Sequence, residues 1–150
     1  MNDIKNEVLR SIWEDRYRKN GETLEENYRR VAKYVASNSV EEEEFFEVIS
    51  EGMFLPAGRT MSNSGIGENL TLNNCFTAPQ VPDDLSSIFD SVKLGAITHK
   101  AGGGIGYDFS KIRPAGQPTS NDAIASGPVS FMEVFNTQTS TILQGNRRGM

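Results

Sequence analysis

The sequence predicts an α/β fold, a helical front followed by a loop-rich region of strands and helices. Three observations predict it. Residues 1–53 hold most of the 20 acidic residues but only two glycines, Gly21 and Gly52, whereas residues 54–150 hold the other 12 glycines and all six prolines. Apolar residues in the front recur at helical spacing. Beyond residue 53 short extended pieces alternate with two further helical patterns.

In the front, Ile4, Val8 and Ile12, with Leu9 and Trp13 beside them, make the apolar face of a first helix. "NGET" at 20–23 breaks it and caps a second, whose inner face is Leu24, Tyr28, Val31 and Val35. "SNSVEEEEFFEVIS" begins a third, with Ser39 as N-cap and Phe45, Val48 and Ile49 buried. The Glu41–Glu44 run reads as a solvated first turn near the positive end of the helix dipole.

From Phe54 to Gln80 there is no helical period, and extended pieces are expected around Leu55 and Leu72–Ala78. "PDDLSSIFDSVKLGAITHKAGGG" reads as a helix capped by Asp83 or Asp84, with Leu85, Ile88, Val92 and Ala96 inward and His99 on the surface. "GIGYDFSKI" is extended and "RPAGQPTSNDAIASGP" is a long loop. "GPVSFMEVFNTQTSTILQG" is a last helix with Pro128 in its first turn.

Length and composition fit one ordinary domain with a core. No apolar run spans a bilayer and the N-terminus has no signal-peptide core, so no membrane association and a cytoplasmic location are expected. A net charge of -5 opposes general nucleic-acid binding, and one His with one Cys opposes a zinc site.

Four glycines within five residues, Gly102, Gly103, Gly104 and Gly106, exceed what a helix cap needs. Tyr107 stands where a dinucleotide fingerprint wants its third glycine, and the glycines follow a helix instead of preceding one. A structural turn and a backbone made for close approach both remain open. Lys111 and Arg113, at the start of the long loop, read on charge pattern as solvated charges. Cys75, the sole cysteine, cannot close an internal disulfide. It is a packed small hydrophobe, a lone nucleophile, or half of a redox pair.

Six stretches, "FLPAGRT", "TLNNCF", "DDLSSIFDSV", "GGGIGYDFSKIRPAG", "ASGPVSFMEVF" and "QGNRRGM", occur in the order and spacing of the ribonucleotide reductase large chain. The pattern resembles the N-terminal segment of the adenosylcobalamin-dependent class II enzymes, and the front helices resemble that family's N-terminal region. The resemblance implies a helical region at 1–53 and, at 54–150, the opening part of a ten-stranded α/β barrel. It implies reduction of ribonucleotides by thiyl-radical chemistry, with a cysteine pair as reductant. Cys75 matches the first cysteine of that pair; Thr60, Asn74 and Gly104 match substrate contacts; Asp83 and Arg113 match contacts to a dNTP effector. Adenosylcobalamin, the rest of the reductase chain, a homodimer and a thiol reductant such as thioredoxin are implied partners, with the cofactor held mainly by sequence not present here. A segment of this kind would be inactive alone. The rival expectation is a noncatalytic nucleotide-binding or regulatory remnant of the same fold.

Overall fold

The computed structural model describes residues 7–67, 69–120, 123–144 and 147–148. Ile4 and four residues of the "QGNRRGM" stretch, at 145, 146, 149 and 150, lie outside the described residues. Packing divides the chain into two compact units, Met1–Asn74 and Cys75–Met150.

The first unit is helical: α1 (Glu7–Arg16), α2 (Leu24–Val35), α3 (Ser39–Ser50) and α4 (Gly58–Asn63). The chain turns into α2 through Asn20 and Gly21, both at positive φ. Thr23 then closes a capping box: its hydroxyl accepts from Glu26 N, and the Glu26 carboxylate accepts from Thr23 N at 2.7 Å. The expected cap of α3 shifts by one residue. Asn38, not Ser39, is the N-cap, because its Oδ1 reaches both Val40 N and Glu41 N at 3.0 Å.

Val31, Ile49 and Met61 form the core of this unit, with Tyr17 and Tyr28 packed against them. Several expected inward residues lie outside it. Val8, Leu9, Ile12, Val35 and Phe45 are exposed, and α1 buries no residue. The core is instead closed from the far side by α4. That helix falls in a stretch expected to have no helical period, and the piece around Leu55, expected to be extended, is coil. Asn27 takes a buried place on α2 because Glu22 and the Met61 carbonyl accept from its amide at 2.8 and 3.4 Å.

The second unit runs β1 (Cys75–Thr77), α5 (Leu85–Lys100), β2 (Gly104–Gly106), α6 (Pro128–Thr141), β3 (Leu143–Gln144) and β4 (Arg147–Arg148). β1 and β2 are parallel, and α5 is the crossover that parallel strands require. β3 and β4 pair antiparallel. Asp84 is the N-cap of α5, its carboxylate accepting from Ser87 N at 2.9 Å.

Val81, Ile88, Ile112 and Phe135 are the core, flanked by Val92, Tyr107, Phe109 and Phe131. Phe135 meets Tyr107 and Phe109 edge-on at centroid distances of 4.6 and 4.9 Å. Leu85, expected inward, is exposed, while His99, expected on the surface, is fully buried. The reason is a partner from α6: Gln138 Nε2 lies 3.1 Å from His99 Nδ1. The long loop after Arg113 folds on itself, with Gly116 N–H donating to Ala125 O and Ala125 N–H to Gln117 O. No helix among the described residues is long and apolar enough to cross a membrane.

Candidate functional site

The parallel register sets Cys75 opposite Gly104, Phe76 opposite Ile105 and Thr77 opposite Gly106. Cys75 is exposed with a free thiol at the head of β1. Its chain neighbour Phe76 swings its ring over the glycine turn. A Cβ on Gly103 would stand 2.6 Å from that ring, so glycine is required there by packing inside the unit. Of the expected close approach, Gly103 therefore serves the protein itself, while Gly106 opens on empty space.

In the first unit the residues before Cys75 are stitched to α4. Arg59 N–H donates to Asn74 Oδ1 at 3.1 Å, Thr60 Oγ1 to Leu72 O at 3.3 Å and Asn63 Nδ2 to Thr71 O at 2.7 Å. Thr60 and Asn74 are thus held on neighbouring turns of backbone. α4 is fixed in turn by Arg30, which donates to the carbonyls of Met61, at 3.2 Å, and Ser64. The same guanidinium grips both oxygens of Glu22 at 2.8 and 2.9 Å. Burial alone would raise the Glu22 pKa. Hydrogen bonds from Arg30, Asn27 and the Lys19 amide outweigh it and hold the carboxyl below its usual range.

The structure brings Asp83 and Arg113 together in the second unit. Arg113 Nε donates to Asp83 Oδ2 at 2.6 Å, its backbone N–H donates to Oδ1 at 3.2 Å, and Nη1 donates to Pro118 O at 3.3 Å. Nη2 has no acceptor among the described residues. The Arg113 guanidinium holds the Asp83 carboxyl below the ordinary range. Both side chains line a cavity of about 420 Å³, within the usual span for small-ligand sites. Thr119, Ser120, Ile124 and Phe131 are among the other side chains of its wall. The sequence pointed to this loop by its length but to none of those four side chains. Lys111, the other candidate cation, is exposed.

Residues 73–150 match the family described as "Ribonucleotide reductase, barrel domain", and residues 7–69 match "Ribonucleotide reductase, all-alpha domain". The chain is similar to the vitamin B12-dependent ribonucleoside-diphosphate reductase of Thermoplasma acidophilum, 42% identical over 107 residues that cover 69% of this chain and 13% of that protein. The enzyme of the same description from Mycobacterium tuberculosis is 40% identical over 107 residues, covering 71% of this chain and 15% of that one. The ribonucleoside-diphosphate reductase subunit alpha of Helicobacter pylori is 34% identical over 125 residues, covering 79% and 16%. This chain therefore spans 13% to 16% of the length of these curated relatives. Among solved structures, the class Id ribonucleotide reductase alpha subunit of Actinobacillus ureae shares the fold, with a TM-score of 0.80 and 24% identity over 96% of this chain and 28% of that one.

Proposed function

The chain belongs to the ribonucleotide reductase large-subunit family, and from that premise we propose that it contributes the helical region and the opening of the barrel to an enzyme reducing ribonucleoside diphosphates. The names of the curated relatives support the diphosphate as substrate, and two of those names support dependence on vitamin B12.

The observation that carries this reading is the exposed Cys75 thiol at the head of β1, in register with the glycine strand. In the proposed reaction the C2'–O bond of the ribose breaks, the oxygen leaves as water, and a C2'–H bond forms. Cys75 and a second cysteine supply the two electrons and two protons and join as a disulfide. A dithiol such as thioredoxin then reduces that disulfide. A thiyl radical on a third cysteine takes the 3'-hydrogen and returns it, so it drops out of the balance. This chain has one cysteine, so the other two belong to reductase sequence outside it.

Thr60 and Asn74 would offer a hydroxyl and an amide for the substrate, and Gly104, buried at the start of β2, its backbone. Asp83 and Arg113 would hold a dNTP effector, the guanidinium on phosphate and the carboxylate accepting from a sugar hydroxyl. A homodimer would complete that site. The described residues do not fit adenosylcobalamin. The only histidine, His99, is fully buried against Gln138, and the cavity at Asp83 and Arg113 is far smaller than a corrin needs. The cofactor would be held by the rest of the reductase.

The test is product formation. The purified 150-residue chain, given ribonucleoside diphosphate, adenosylcobalamin and dithiothreitol, should yield no deoxynucleotide, while the reductase containing this segment should yield it. Deoxynucleotide made by the chain alone, or none made by the whole reductase, would defeat the reading.

A further inference from the structure

Both ends of the glycine strand turn toward one amide on α6. His99 lies in the last turn of α5, the helix before β2, is fully buried, and has Gln138 Nε2 at 3.1 Å from its Nδ1. With the amide placed so, its NH2 donates and Nδ1 accepts only in the tautomer that carries the ring proton on Nε2. Tyr107 follows β2 directly, its ring fixed edge-on against Phe135 at 4.6 Å. Its hydroxyl oxygen and Gln138 Oε1 are both buried, and neither has a hydrogen-bond partner among the described residues.

These two atoms flank a single point. A Cβ on Gly95 would stand 1.9 Å from the Tyr107 hydroxyl oxygen and 3.1 Å from Gln138 Oε1. The missing side chain at Gly95 is what leaves room for the Tyr107 hydroxyl beside Gln138. Buried polar atoms in native proteins are almost always paired, and here a donor and an acceptor face the same gap. Burial raises the Tyr107 pKa, which keeps the phenol protonated and able to donate.

We propose that Gln138 is a positioning residue: its amide accepts from the Tyr107 hydroxyl through one bridging water, donates to His99 Nδ1, and so ties the segments on either side of β2 to α6 and fixes Gly104 opposite Cys75. Two side chains that bracket the strand in sequence are thereby clamped by one group from a helix more than thirty residues further on. The relevance to nucleotide reduction rests on the function proposed above; the tie itself does not.

The experiment is nitrogen-15 NMR on the 150-residue chain and its Tyr107→Phe and Gln138→Met variants, with the rate of Cys75 alkylation by iodoacetamide measured on each. In the unaltered chain His99 should carry its proton on Nε2 alone. Tyr107→Phe should shift both the Gln138 side-chain amide and the His99 Nδ1 resonance. Both variants should change the alkylation rate severalfold with helix content preserved. A proton on Nδ1, a Gln138 amide unmoved by Tyr107→Phe, or unchanged alkylation in the variants would overturn the proposal. Should Gln138→Met not fold, Tyr107→Phe, which keeps the ring packing, decides alone. A Cys75→Ser reductase with normal turnover, beside the expected NMR and alkylation results, would remove the redox role and leave the tie standing.

Discussion

Arg113 holds Asp83 by two routes, Nε to Oδ2 at 2.6 Å and the backbone N–H to Oδ1 at 3.2 Å. The pair aims the guanidinium along the cavity wall, with Nη2 still available. If that cavity takes a dNTP, Arg113→Ala removes charge-assisted bonds worth roughly 1.5–3 kcal/mol each. Affinity for dTTP, measured by calorimetric titration of the whole reductase at constant ionic strength, should fall about tenfold or more. An unchanged affinity would reduce Arg113 to a partner of Asp83 alone.

The same contact gives stability a pH dependence of defined sign. The folded-state pKa of Asp83 is depressed, so its contribution is fully present above the unfolded value of about 3.9 and is lost as pH falls through the folded value. Thermal melts of the wild type and Asp83→Asn should differ at neutral pH and converge in acid. A gap that stays constant down to strongly acid pH would mean that the carboxylate contributes nothing through this pair.

Cys75→Ser in the complete reductase should abolish repeated turnover, because one thiol cannot form the disulfide. Nucleotide binding, proposed for other side chains, should change little. Normal turnover by that variant would return the thiol to the packing role.

Arg30 is the group whose loss should most damage the first unit. Its side chain is 16% exposed and that of Glu22 is 11% exposed. Arg30→Met would strand the Glu22 carboxylate and leave the Met61 and Ser64 carbonyls without this donor. Breaking a fully buried pair costs about 3–5 kcal/mol, and partial exposure here lowers the expectation to about 2 kcal/mol. Urea denaturation should reveal it, and a loss below about 0.5 kcal/mol, typical of surface pairs, would refute the role.

Features set by neighbours in sequence were legible before the structure. Thr23 and Asp84 are caps because a short polar side chain reaches amides only two or three residues on. Asn38 and Ser39 are equally good cap types, and which one leaves the helix is decided by the turn before it. α4 was missed because "GRTMSN" has six residues, too few to show a period. The burial of His99 is not legible because its partner, Gln138, lies on a different helix. The resemblance singles out Asp83 and Arg113 one at a time, and their direct pairing, across 30 residues of sequence, is not legible in either.

The parallel ladder of β1 and β2 has a kinetic consequence. Its two strands of three residues cannot meet until the intervening chain has doubled back, and the closure entropy of that excursion must be met before any ladder bond forms. α5 shortens the excursion when it forms, using bonds between near neighbours that assemble within about a microsecond. Helix first and ladder second is the order this topology imposes. The Ala78 amide, which donates to Gly106 O at 2.9 Å, should gain protection from exchange later than amides in the middle of α5. Until then the thiol at the head of β1 belongs to unpaired chain, and its environment is created only when the crossover closes.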